Sequence, residues 1–300
     1  MTGLDWNLFN HEGLEFHGQF NMTKGGLVFA DLISTVSRKY ADEVLKPEFG
    51  FGLDGVLRVR QSGIFSVLNG VDYDVWDPAK DAKLTSNYSP DSLDLKSSCR
   101  DELAGIFGLP ADGLPVVAVI SRLLDRKGFD LISAAFDRLL KLDLRMVVMG
   151  RGEDKYHILL NDLAVAYPDQ IGVKITYDKT MAHKIMAGAD MFLMPSRYEP
   201  CGLEQLYGLK YGTVPVVRAT GGLDDTIMDV TQDPEHGTGF KFYDYTPSAL
   251  YQAMTAAVNL FADRTAWKAL MRRGMDQDFS WTKAAAEYED IYQKAVDKIN

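Results

Sequence analysis

The chain has 300 residues, 46% hydrophobic and 25% charged, with 26 Gly and 11 Pro, a balance that matches a globular protein, argues against disorder and leaves room for one large or two smaller packed domains. Lys and Arg number 32 against 42 Asp and Glu, a formal net charge of −10, which repels polyanions overall and argues against nucleic acid as a partner. No apolar run reaches the roughly 18 residues of a membrane helix; the opening MTGLDWNLFNHEGLEF lacks the apolar stretch of a secretory signal; and Cys99 and Cys201 fit no zinc or disulfide spacing, which points to a reducing compartment.

The first 110 residues predict helical pieces over 22–30, 38–46 and 53–61, interrupted by short strands at 33–36 and 65–68. A loop rich in Asp, Pro and Ser over 70–91 leads into a helix over 92–107, and the composition shift near Asn69 marks a domain boundary. From Pro115 the pattern changes. Short runs that are apolar on both faces, at 115–120, 144–149, 171–176, 191–194 and 214–218, alternate with helical periodicity at 128–142, 154–167, 179–187 and 203–211. That alternation predicts an α/β domain whose parallel sheet is covered on both sides. Residues 239–242 add one more short strand, helices over 246–261 and 264–276 close the domain, and Ser280 caps a last helix.

Three segments follow directly on predicted strands, at the edge where parallel α/β sheets bind ligands. In PSRYEPCGLEQLYGLKYGTVPVVRATGGLDDT, residues 195–226, Glu199 lies in the loop past a strand ending at Met194, and Gly202 opens a helix, whose free N–H groups and positive dipole end suit an anion. Gly221-Gly222-Leu223 repeats the arrangement after strand 214–218, with glycines that let a phosphate approach the backbone. SRLLDRKGFDLI, residues 121–132, sets Arg122 and Lys127 in one loop, two fixed cations able to stabilise the charge that develops on a departing nucleoside diphosphate.

With LNGVDYDVWDP (68–78), HKIMAGADMFLMPSRYEPCGL (183–203), KYGTVPVVRATGGLDDT (210–226) and FSW (279–281), these segments make nearly the whole chain resemble the bacterial glycogen synthase and plant starch synthase family. The resemblance implies an α/β fold of the GT-B type, with two Rossmann-like domains. It implies retaining transfer of glucose from ADP-glucose to the non-reducing 4-hydroxyl of an α-1,4-glucan, with no metal or other cofactor. ADP-glucose and the glucan are the implied partners, without nucleic acid or membrane, in the cytoplasm or, for a plant chain, in a plastid. Glu199 is similar to the glutamate that contacts the donor glucose and supports the electron-poor transition state. Arg122 and Lys127 match the pair that grips the ADP phosphates, Asn69 matches an asparagine near the sugar, and Tyr177 matches the aromatic that stacks on adenine. Backbone groups of Gly202, Leu203, Gly221 and Gly222 would complete the cradle. On the same resemblance, residues 1–68 are a remnant of an acceptor-side domain, 69–278 form the nucleotide-sugar domain, and 279–300 cross back to the first. The family's K-x-G-G-L donor loop and the acidic and histidine residues of the opposite wall are missing, so the chain is expected to be N-terminally truncated and, alone, to bind nucleotide without transferring glucose. The alternative is a module that only binds nucleotide or glucan.

Several look-alikes fall away on context. Asp72-Tyr73-Asp74 has the metal-holding D-x-D form but lies in the NGVD turn. Lys24-Gly25-Gly26-Leu27 mimics the donor loop, yet the VFADLISTVS that follows places it in a different, internal segment. Gly150-Arg151-Gly152 lacks the third glycine of a dinucleotide fingerprint and reads as a loop. His11, His17, His157, His183 and His236 stand at no metal spacing and read as structural or exposed. One departure lies inside the donor segment: the family usually carries a small polar residue where this chain has Glu204, and a carboxylate beside a diphosphate is repulsive unless it points away.

Overall fold

In the computed structural model, which describes residues 3–299, the N-terminal part is assembled from short pieces. They are a hairpin of β1 (Glu15–Phe16) and β2 (Gln19–Phe20), helix α1 (Met22–Phe29), strand β3 (Ile33–Thr35), helices α2 (Arg38–Glu43), α3 (Pro47–Gly50) and α4 (Asp54–Val59), and strand β4 (Ile64–Ser66). β3 and β4 pair in parallel, with Ile33 opposite Ile64. Strands of two residues are too short to show a period, which is why the hairpin was not legible in the sequence. Lys24 is buried, and its Nζ donates to the carbonyls of His11 and Glu15, each at 2.6 Å. The K-G-G-L segment is therefore a structural staple between the hairpin and α1.

The larger part runs α5 (Lys96–Phe107), β5 (Val116–Ile120), α6 (Phe129–Leu139), β6 (Arg145–Met149), α7 (Asp154–Ala166), β7 (Ile171–Lys174), α8 (Lys179–Gly188), β8 (Met191–Met194), α9 (Glu204–Lys210), β9 (Val214–Arg218), α10 (Gly221–Thr226), β10 (Phe240–Phe242), α11 (Pro247–Ala262), α12 (Arg264–Met275) and α13 (Trp281–Ile299). Six strands form one all-parallel sheet in the order β10-β9-β8-β5-β6-β7. Every residue of VVAVI in β5 and MFLM in β8 is buried, as parallel strands between two helical layers require. The helices supply matching apolar stripes: in α6, Phe129, Leu131, Ile132, Ala135, Phe136 and Leu139 are buried at helical spacing.

Where boundaries moved, local hydrogen bonds explain it. β7 ends at Lys174 because the Thr176 N–H turns back onto the Lys174 carbonyl at 2.8 Å. The helix expected from residue 92 begins as a 3-10 turn over Pro90–Leu95, where Ser92 leaves helical geometry. Residues 221–226, which carry the Gly221-Gly222 pair, form the short helix α10.

The long loop over 70–91 is held by side chains. Trp76 stacks between His183 and Tyr207, with ring centroids 3.8 and 3.9 Å away. Beneath it, Asp81 Oδ2 accepts from His183 Nδ1 at 2.6 Å and from Tyr211 Oη at 2.7 Å. His183 is thus structural, as expected. α2 packs on α10, with Ser37 Oγ donating to Asp225 at 2.7 Å. Ser280 accepts from the Lys283 N–H at 3.4 Å as the cap of α13, and that helix buries Ala284 and Ile291 against Val67.

Candidate active site at the sheet's switch point

The chain enters the sheet at β5, builds outward through β6 and β7, then returns to lay β8 on the other side of β5. At such a reversal the loops leaving the two neighbouring strands diverge and open a crevice at their C-terminal ends. A cavity of about 270 Å³ lies there. Its walls are Ser121, Arg122 and Lys127 after β5, Gly150 and Arg151 after β6, Tyr177 after β7, Ser196 after β8, and Glu204 at the start of α9. Topology thus brings together residues from four loops that are far apart in sequence.

Glu199 stands beside the cavity, 8% exposed. Its Oε2 takes a short ion pair from Lys127 Nζ and a hydrogen bond from Ser196 Oγ at 3.2 Å. The loops carrying the pair are tied together, because the Arg197 N–H donates to the Arg126 carbonyl at 2.9 Å and the Arg197 guanidinium to Asp130 at 2.7 Å. Arg122 is exposed and has no ion pair among the described residues, so its charge is available to a ligand. Tyr177 leaves 62% of its surface exposed, a ring free to stack.

The N–H groups of the two glycines expected in a phosphate cradle have partners within the chain. Gly222 N–H donates to the carbonyls of Glu199 and Pro200 at 3.1 and 3.2 Å, and Gly221 N–H donates to Glu43 Oε1 at 3.2 Å. Both donors are already occupied. What the missing side chains permit is close approach to the Glu199 loop: a Cβ on Gly222 would lie 2.5 and 2.6 Å from the Cα and C of Cys201. Gly202 takes a left-handed φ of 70° one residue before the cap of α9, and the Leu203 N–H donates to Glu204 Oε2 at 3.2 Å. Neither residue is part of the cavity wall. Asn69 also lies off it: its backbone N–H reaches the Cys201 thiol, which burial pushes up to about 11, and the residue borders a separate hollow with Phe279 and Lys283.

Sequence reasoning missed Ser196, Arg151 and Glu43. The first two sat in segments already singled out, but only the crossing of loops turns them inward. Glu43 is buried on α2 and accepts from Thr220 Oγ1 and Gly221 N–H; burial raises its carboxyl above the ordinary value against those hydrogen bonds. Nothing in its own helix signals a partner nearly 180 residues away. Glu204, the departure inside the donor segment, lies on the cavity wall. Asp74 pairs with Lys80 at 2.8 Å, and among the described residues no three potential metal ligands come together.

The model for glycosyl transferases group 1 matches residues 107–270, and that for the starch synthase catalytic domain matches residues 1–59. The chain belongs to the group 1 glycosyl transferases, with the GT-B architecture that the sheet order and its structural neighbours share. Within that family its sequence is similar to bacterial glycogen synthases. It is 50% identical over 292 residues to that of Koribacter versatilis, covering 97% of this chain and 60% of the relative, and 45% identical over 297 residues to that of Geotalea daltonii, covering 99% and 61%. The catalytic domain of starch synthase IV from Arabidopsis thaliana, bound to ADP and acarbose, superposes with a TM-score of 0.92 at 32% identity, covering 98% of this chain and 62% of that one. The chain therefore spans about three fifths of the length of these relatives.

Proposed function

We propose that these residues form the donor side of a retaining glucosyltransferase that moves glucose from ADP-glucose to the non-reducing 4-hydroxyl of an α-1,4-glucan. The observation that carries this reading is the Lys127–Glu199 pair at the edge of the switch-point cavity, with Arg122 free beside it and the Tyr177 ring exposed. In the reaction the bond from glucose C1 to the diphosphate oxygen breaks and its electron pair leaves with ADP. Arg122 and Lys127 take up that charge from fixed positions, while the buried Glu199 carboxylate faces the electron-poor sugar. The glucan oxygen forms the new bond, and its proton is released with ADP. The ADP carried by the starch synthase IV relative supports the choice of nucleotide, and we place the activity in the cytoplasm, or in a plastid in a plant.

The described residues supply one wall of a cleft. A facing domain that closes over the donor and excludes water is needed for transfer, so this chain alone is expected to bind ADP and not to elongate glucan. Calorimetric titration with ADP and UDP tests the donor site: ADP should bind the more tightly, and no heat with ADP would overturn the reading. Radiolabelled transfer from ADP-glucose to glycogen tests the second statement. Robust incorporation by the purified chain would show that one wall suffices.

A further inference from the structure

Glu204 is a carboxylate on the wall of a cavity otherwise charged by Arg122, Lys127 and Arg151. Lys127 is engaged by Glu199. Glu204 has no counter-ion among the described residues, and its Oε2 accepts only the backbone N–H of Leu203. Burial first, and then the nearby Glu204 carboxylate, push the phenol of Tyr207 up to about 12.

We propose that Glu204 is a specificity-determining residue that disfavours the free nucleoside diphosphate relative to its sugar ester, and so speeds departure of the product. This rests on the donor-site reading above. In the sugar ester the terminal phosphate is a diester. When the C1–O bond breaks, its electron pair stays on the phosphate oxygen, and at neutral pH the product carries about one more negative charge than the donor, the second phosphate ionisation lying near pH 6. A fixed carboxylate in the same cavity repels both ligands, but the extra charge is present only in the product. For two unit charges that share one partly solvated cavity, the difference is on the order of three- to tenfold in relative affinity. Arg122 and Lys127 hold both ligands, and Glu204 biases the balance between them.

The test is the ratio of dissociation constants for ADP-glucose and ADP, measured by calorimetry at pH 7.5 and low salt on the parent chain, Glu204→Gln and Glu204→Lys, each shown by circular dichroism to be folded. The ratio should rise three- to tenfold in Glu204→Gln and further in Glu204→Lys, and the differences should shrink in high salt. Equal tightening of both ligands, or no change in either, would overturn the proposal and leave the donor site standing. Failure of the parent to bind either ligand would instead remove the donor site and the proposal with it.

Discussion

Replacing Gly222 with alanine tests whether the glycine pair exists to bring α10 against the Glu199 loop. The added Cβ would sit 2.5 and 2.6 Å from the Cα and C of Cys201, about 1 Å inside ordinary contact. Both partners are buried backbone, so no side-chain rotation relieves the overlap. Overpacking of this kind costs about 1–3 kcal/mol, and weakening the Gly222 hydrogen bonds to Glu199 and Pro200 adds about 1 kcal/mol. Urea unfolding should therefore show a loss of about 2–4 kcal/mol. Gly105→Ala supplies the opposite control, because Gly105 is exposed within α5 and a Cβ there meets nothing within 4 Å; it should gain about 0.5–1 kcal/mol. A Gly222→Ala midpoint equal to that of the parent would refute the close-approach argument and reopen the phosphate-cradle role for this glycine.

In a chimera that adds the part of the Koribacter synthase this chain does not span, Glu199→Ala should leave ADP affinity within a few-fold of the parent while transfer collapses, since a transition-state contact acts on turnover; unchanged transfer would remove Glu199 from the chemistry. Arg122→Ala and Lys127→Ala should each weaken ADP binding on the order of tenfold to hundredfold in calorimetry. Only Lys127→Ala should also lower the urea midpoint, because it strips the cation from a buried Glu199. For the pair under Trp76, burial holds the His183 imidazole below its ordinary value despite Asp81, whereas hydrogen bonds from Tyr211, the Lys83 N–H and His183 hold the Asp81 carboxyl low against its burial. Below about pH 6.5 the unfolded chain takes up a proton that native His183 refuses, so stability falls with falling pH. Asp81 adds a further loss as pH falls below about 4 toward its depressed native value. The stability difference between parent and His183→Gln should accordingly narrow between pH 7 and 5, and a constant difference would contradict the assignment.

Much of the site could be read from the sequence because each part is local. A short strand of buried apolar residues announces itself by composition, and the loop after it must lie at the sheet edge; Arg122, Lys127 and Glu199 were singled out this way. Strand order is not local. β8 pairs with β5 rather than with β7, and that pairing creates the crevice and brings Ser196, Arg151 and Glu204 to its wall. The glycines show the same division. Their spacing after β9 marked a place where a side chain cannot fit, but whether the approaching group is a phosphate or the backbone of Cys201 depends on where the Glu199 loop comes to rest. Glu43 lies wholly on the tertiary side, because a carboxylate on one helix acquires its role only when a distant turn presents Thr220 and Gly221 to it. Sequence determined which segments carry charge, turn and apolar face, since these follow from side-chain chemistry and local periodicity. Which of them meet was decided by the order in which the strands pack in the sheet, because that order sets which loops share an edge.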